Sequence, residues 1–273
     1  MRPASRASLA AARERLDDLA DGGASTAELS TLGSELSAAA RLLDAERVLR
    51  RHLADASSSE LARTGLVDSL LGSKAGRATL DILHVLVSSR WSRPLDLVDA
   101  LEELAWQAVL AEAERDGSIE EVEDELFRFG RTLAAEPKLA SLLADEAAPA
   151  DRRVELLGTV LAGKVRPVTQ RLLEQAVRAP RERRLDDLVE QLVERTAARR
   201  DRHVAHVTAP GPLSEEQERR LAEALGRIYR RPVSLQVELD PDLLGGLVVR
   251  MGDEVIDGSV SGQLTRARLW MPR

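Results

Sequence analysis

The chain contains no cysteine, one tyrosine, two phenylalanines and three tryptophans in 273 residues. Without cysteine, neither disulfides nor thiolate zinc sites are possible. Aromatics make up 2% of the chain, so its cores must be built from Leu, Val and Ala. Ala and Leu are strong helix formers, and this favours helix packed on helix. No run approaches the roughly 18 apolar residues of a membrane span. Met1-Arg2-Pro3-Ala4-Ser5-Arg6 is basic, but no apolar core of a signal peptide follows it. A soluble protein on the cytoplasmic side is therefore expected. There is no excess of positive charge either. The net charge of −7, on a surface rich in both signs, gives no support for nucleic-acid binding. The 44% apolar share is enough for one large domain or two to three small ones.

From Ser5 to about Asp201 the apolar residues recur at helical spacing. Leu9, Leu16 and Leu19 share a face that ends at Asp21-Gly22-Gly23, and Leu29, Leu32, Leu36 and Leu43 continue the period. Ile119, Val122, Leu126, Phe129 and Leu133 form another stripe, with Pro137 marking a boundary after it. Leu185, Leu188, Val189, Leu192 and Val193 mark a long last helix. An internal repeat runs through this region at an offset of 90 residues. Aligned without a gap, Glu35–Val87 and Glu125–Val177 share 17 identities in 53 positions. Among them are Glu35 with Glu125, Arg63 with Arg153 and Thr79 with Thr169. A one-residue shift then aligns Leu97-Val98 with Leu188-Val189. The stretch Leu95–Asp116 is placed to end one bundle and begin the next.

The last seventy residues read differently. Arg202–Thr208 has strand character, and Ala209-Pro210-Gly211-Pro212 stops it. Ser214-Glu215-Glu216-Gln217 is a capping box that opens a helix striped by Leu221, Leu225 and Ile228. Val233–Asp240 alternates as a half-buried strand. Two short apolar runs are separated by Gly252-Asp253, a pair suited to a two-residue hairpin. Val260, Leu264, Ala267 and Met271 would stripe a terminal helix. The expected fold is mostly α, with two tandem helix bundles followed by a small α/β domain of three to four strands with helices. The expected domains are 1–94, 95–201 and 202–273.

Candidate chemistry is thin. Gly158-Thr159-Val160-Leu161-Ala162-Gly163-Lys164 resembles a P-loop up to its lysine, but Val165 stands where Ser or Thr must bind magnesium. Val154, Leu157 and Leu161 give the region helical spacing where a strand is required. His203 and His206 are three apart in a strand and point to opposite faces, and His52 and His84 have no near partner. The acidic run Glu120–Glu125 fits the solvated first turn of a helix. Arg178–Arg184 and Arg195–Arg202 fit solvated helix faces. No active site, metal site or cofactor site is expected.

Leu244–Ser259 carries the most specific signal. Gly245-Gly246 precedes an apolar strand, Arg250-Met251-Gly252-Asp253 follows, and a second strand ends in Asp257-Gly258-Ser259. This resembles the C-terminal signature of the delta subunit of F-type ATP synthase, called in mitochondria the oligomycin-sensitivity-conferring protein. Residues from about Leu101 onward resemble a whole delta subunit. The family's opening helix pattern, Tyr-Ala-x-Ala-Leu-Phe, is met loosely by Ala105-Trp106-Gln107-Ala108-Val109-Leu110, without the tyrosine and phenylalanine. The first bundle copy is additional to the family pattern. The resemblance implies a non-catalytic stator subunit, one per complex and monomeric alone, with no cofactor and no small-molecule substrate. It would link the N-terminal segments of alpha subunits to the b subunit, peripherally at the cytoplasmic face of the bacterial membrane. It places the alpha-binding groove between the first and fifth helices of a bundle, which nominates Leu110, Ala113, Leu172, Leu173 and Ala176. The signature residues Gly245, Gly246, Arg250, Gly252, Asp253, Asp257, Gly258 and Ser259 would be structural. The alternative is a helical-repeat protein-binding adaptor unrelated to ATP synthase.

Overall fold

A computed structural model describes residues 1–181, 183–201, 204–229, 233–241, 243–251 and 254–260. The chain divides into two compact units, Met1–Glu194 and Arg195–Arg273. In the first lie helices α1 (Pro3–Asp21), α2 (Thr26–Ala45), α3 (Arg47–Ala54), α4 (Glu60–Leu71), α5 (Arg77–Ser88) and α6 (Pro94–Arg115). They are followed by α7 (Ile119–Ala135), α8 (Pro137–Ala144), α9 (Ala150–Leu161), α10 (Pro167–Arg178) and α11 (Leu185–Asp201), the last running on past the unit boundary. Proline starts α1, α6, α8 and α10, where its missing N–H would have had no helical acceptor.

The repeat is preserved in the hydrogen bonding. Helices α3, α4 and α5 have the same bounds as α8, α9 and α10 after the 90-residue offset. Glu35 accepts from the Gly76 backbone N–H at 2.9 Å and from the Thr79 hydroxyl. Its counterpart Glu125 accepts from the Arg166 N–H at 2.9 Å and from the Thr169 hydroxyl. Each carboxylate thus ties the second helix of its bundle to the start of the fifth. Arg63 and Arg153 are both buried and donate to backbone carbonyls of Ser89 and Val177 respectively.

Helix α6 is shared. Its Leu97, Leu101 and Leu104 pack with Leu16, Leu36, Ile82 and Leu86 in a first core. Its Trp106, Val109, Leu110 and Ala113 pack with Leu126, Leu157, Leu172 and Leu188 in a second. Every residue from Glu103 to Ala113 is buried, as befits a helix enclosed on all sides. Polar side chains on it are satisfied in place. Asp96 accepts from Ser5 at 2.7 Å and Arg93 at 2.9 Å, Glu103 from Arg13 at 2.7 Å, and Glu112 pairs with Arg171. Helix α2 lies so close that a Cβ on Gly33 would stand 2.6 Å from Val109 Cγ2.

The second unit holds β1 (Val204–Ala209), α12 (Glu215–Tyr229), β2 (Ser234–Leu239), β3 (Val248–Met251) and β4 (Glu254–Asp257). Among the described residues these strands form one mixed sheet ordered β2-β1-β3-β4. β1 and β2 run parallel, from Val204 opposite Ser234 to Ala209 opposite Leu239, joined through α12. β3 is antiparallel to both β1 and β4. The capping box forms: the Ser214 N–H donates to Gln217 Oε1 at 2.8 Å and the Gln217 N–H to Ser214 Oγ at 3.3 Å. Leu221 and Leu225 pack on the sheet, but Ile228, in the last turn of α12, stays 64% exposed. The hairpin pairs as its apolar runs predict, and its turn at Gly252-Asp253 lies outside the described residues. So do His203 and, beyond Val260, the expected terminal helix with Leu264, Ala267 and Met271.

Candidate interaction surfaces

The five nominated alpha-contact residues come together on α6 and α10, but in the interior. Leu110, Ala113, Leu172, Leu173 and Ala176 are at most 1% exposed, all within the second core. They hold α6 against α10 and set the spacing of those helices. A partner on this face meets half-buried Gln170, Arg171 and Glu174 of α10 before it meets any of the five, while Gln175 faces the first bundle. The sequence pattern marks apolar faces but not which neighbour covers them. Here α6 has a second bundle against it.

A charged node, missed in the sequence, joins the two copies. Arg181 follows α10 in a left-handed conformation, φ 52°. Its guanidinium lies 2.8 Å from Asp99 and 3.0 Å from Glu102 on α6, and 3.6 Å from Asp44 on α2. Arg183 adds a 2.7 Å contact to Glu102 and sits over the Trp106 ring, 6.0 Å from its centroid. Burial pushes the Glu102 carboxyl above its ordinary range, against the pull of both guanidiniums. Burial acts to lower Arg181, but the three carboxylates outweigh it and hold it charged. The only sequence signal was the basic run Arg178–Arg184, which reads equally well as a solvated face.

The other candidates fall into ordinary structure. Gly158–Leu161 is the last turn of α9, without the strand a P-loop needs. In the acidic run, Glu121 pairs with Arg166, whose hydrogen bond lowers the Glu121 carboxyl. His206 is exposed on β1. Among the described residues no group of three His, Asp or Glu side chains is gathered as a metal site. No helix there is long and apolar enough to cross a membrane.

Within the C-terminal signature, Gly245-Gly246 and Asp257-Gly258-Ser259 shape one backbone corner. Gly245 and Gly246 have φ of 143° and 79°, conformations L side chains rarely adopt. A Cβ on Gly246 would stand 2.4 Å from the Gly258 carbonyl oxygen. The glycine pair thus passes directly over the end of β4, where the Gly258 N–H donates to Leu247 O and the Val260 N–H to Gly245 O, each at 2.9 Å. Asp257 closes the corner by accepting from the Ser259 N–H at 2.9 Å and its hydroxyl at 2.7 Å. Arg250 is exposed on β3, opposite Val255 and His206. Gly252 and Asp253 lie outside the described residues.

Helical bundles braced by ion pairs, with a separate small mixed sheet, make this a mostly helical protein of two compact units. Comparison with known proteins makes this specific. Residues 106–270 match the family model described as ATP synthase delta (OSCP) subunit. The chain is similar to ATP synthase subunit delta of Streptomyces griseus, at 45% identity over 267 residues covering 98% of each chain. It is similar to ATP synthase subunit delta of Frankia alni, at 48% identity over 276 residues and 98% of each. It also matches ATP synthase subunit b-delta of Mycobacterium sp. strain KMS at 43% identity, over 100% of this chain and 61% of that protein. The chain belongs to the ATP synthase delta (OSCP) subunit family. It is a non-catalytic subunit of the peripheral stalk, and the unrelated-adaptor alternative finds no support. The family match begins inside α6, so the first bundle lies outside it, yet that bundle is covered in the Streptomyces and Frankia relatives.

Proposed function

We propose that this subunit grips alpha-subunit N-terminal segments with its helical bundles and joins the b subunit through its C-terminal domain, residues 202–273, at the cytoplasmic face of the membrane. The observation that carries the b contact is the match of the entire chain to 61% of a Mycobacterium protein named for both b and delta. A single polypeptide named for both supports placing this chain beside the b subunit. The alpha contact is supported by the bundle's helical build, since an amphipathic segment laid along helices is a common recognition mode. For function the chain divides into 1–94, 95–201 and 202–273, with α6 serving both bundles. Leu110, Ala113, Leu172, Leu173 and Ala176 act from beneath, fixing the α6–α10 spacing that a partner reads. One copy serves each complex.

Calorimetric titration of the full chain with a synthetic peptide of the same organism's alpha-subunit N-terminus tests the alpha contact. Saturable binding is expected. A stoichiometry near two would assign a working groove to each bundle, and one near unity would leave the first bundle as a brace. Absence of binding, with the chain still present in purified ATP synthase, would defeat the alpha assignment.

A further inference from the structure

The repeat lets one bundle report what the other is built to hold. In the first copy, the groove between its second and sixth helices, α2 and α6, is filled. Ser37, Ala40 and Arg41 of α2 and Glu102 of α6 meet Gln175 and Ala179 at the end of α10, and only about 10 Å³ remains open. Arg181 and Arg183, just beyond, clamp this contact through Asp44, Asp99 and Glu102. The end of one helix, with two arginines behind it, therefore docks on an acid-rimmed groove.

The corresponding groove of the second copy lies between α7 and α11, and it is open, at about 430 Å³. By the repeat, Phe127, Gly130 and Ala134 stand where Ser37, Ala40 and Asp44 stand, and Val189, Glu190 and Val193 stand where Val98, Asp99 and Glu102 stand. Its floor is apolar: Val189 lies against Gly130, and Val193 packs at the edge of the core. Phe127 is 54% exposed at its rim. Along the α11 side run Asp187, Glu190 and Glu194, all exposed, with Arg131 on the α7 side. An exposed phenylalanine above an apolar floor beside a row of carboxylates suits an apolar stripe flanked by cations.

We propose that the α7–α11 groove docks a basic amphipathic helix of another ATP synthase subunit, in the way the α2–α6 groove docks the arginine-bearing end of α10. The proposal rests on membership of the complex. It concerns a face distinct from the α6–α10 face considered above.

The test places the photo-cross-linking residue p-benzoylphenylalanine at Phe127 in the full chain, within purified ATP synthase. Irradiation followed by mass spectrometry then locates the adduct. The expected product joins Phe127's position to a helical segment of another subunit that carries Lys or Arg beside its apolar stripe. The double variant Glu190→Lys/Glu194→Lys changes only exposed positions, and should lower adduct yield on the order of tenfold while leaving the far-UV circular dichroism of the chain unchanged. An adduct to a second copy of this chain, or to a segment without cations, would overturn the proposal. So would the absence of any adduct while the subunit remains in the complex, or a yield insensitive to the charge reversal. Failure of the unaltered chain to co-purify with the complex is read separately and would instead defeat the stalk assignment.

Discussion

Substitution at Gly33 probes whether α2 lies against the shared helix as closely as described. In an exposed helix position, glycine to alanine stabilises by up to about 1 kcal/mol through helix propensity. Gly65 on α4 is such a position, since an added Cβ there meets nothing within 4 Å. At Gly33 the same methyl would stand 2.6 Å from Val109 Cγ2 and 3.2 Å from the Ala105 carbonyl oxygen. Val109 is fully buried and its branched side chain is stiff, so it cannot turn away cheaply. Overpacking of this kind costs about 1–3 kcal/mol, which offsets or exceeds the propensity gain. Gly33→Ala should therefore be neutral to about 2 kcal/mol destabilising, where Gly65→Ala is stabilising. Truncating Val109 to alanine makes room. In the Gly33→Ala/Val109→Ala double variant the Gly33 change should become favourable, a coupling of at least about 1 kcal/mol. Urea unfolding of the four proteins, followed by circular dichroism, measures this. If Gly33→Ala stabilised as much as Gly65→Ala, with no coupling to Val109, the close α2–α6 packing would be wrong.

Three further outcomes are expected. Burial pushes the Asp96 carboxyl upward, but hydrogen bonds from Ser5 and Arg93 outweigh it and hold it below its ordinary value. Its contribution is thus present above the unfolded value of 3.8 and lost as pH falls through the lower folded value. Asp96→Asn should cost about 1–3 kcal/mol at neutral pH, with the gap to the unaltered chain closing below about pH 4 in denaturation series. Glu35→Ala and Glu125→Ala should each destabilise the helical unit by about 1–3 kcal/mol, the more buried Glu125 by more, because each strands a backbone N–H and a threonine hydroxyl. Comparable unfolding midpoints for either variant and the unaltered chain would refute the tie between second and fifth helices. Gly246→Ala forces a left-handed alanine, at about 1–2 kcal/mol, as well as a backbone overlap. Limited proteolysis should then cut Arg195–Arg273 while Met1–Glu194 resists, and equal resistance in both units would contradict the reading of that corner.

The helices were legible because Leu and Ala fall at 3.6-residue spacing in a chain with almost nothing else to build a core. The repeat was legible through Glu35/Glu125 and Thr79/Thr169, and the structure gives those identities a physical reason: they are the two ends of one hydrogen-bonded tie. The Ser214 cap was readable because cap chemistry is local, and the β3–β4 pair because its two apolar runs are short and adjacent. What was not legible was anything set by a neighbour far along the chain. Leu110 and Leu172 carry no sign of whether solvent, a partner or another bundle covers them. Arg181 reads as one more surface arginine until Asp44, Asp99 and Glu102 are brought around it. Gly33 looks like a weak point in a helix until Val109 is found against it.

The central claim is that this chain belongs to the stator and transmits no chemistry of its own. Proton-driven ATP synthesis is measured in vesicles bearing the organism's ATP synthase, before stripping of this subunit, after it, and after purified chain is added back. The account predicts that stripping abolishes synthesis while the head still hydrolyses ATP, and that the added chain restores coupling. Undiminished synthesis in vesicles lacking the subunit would contradict it.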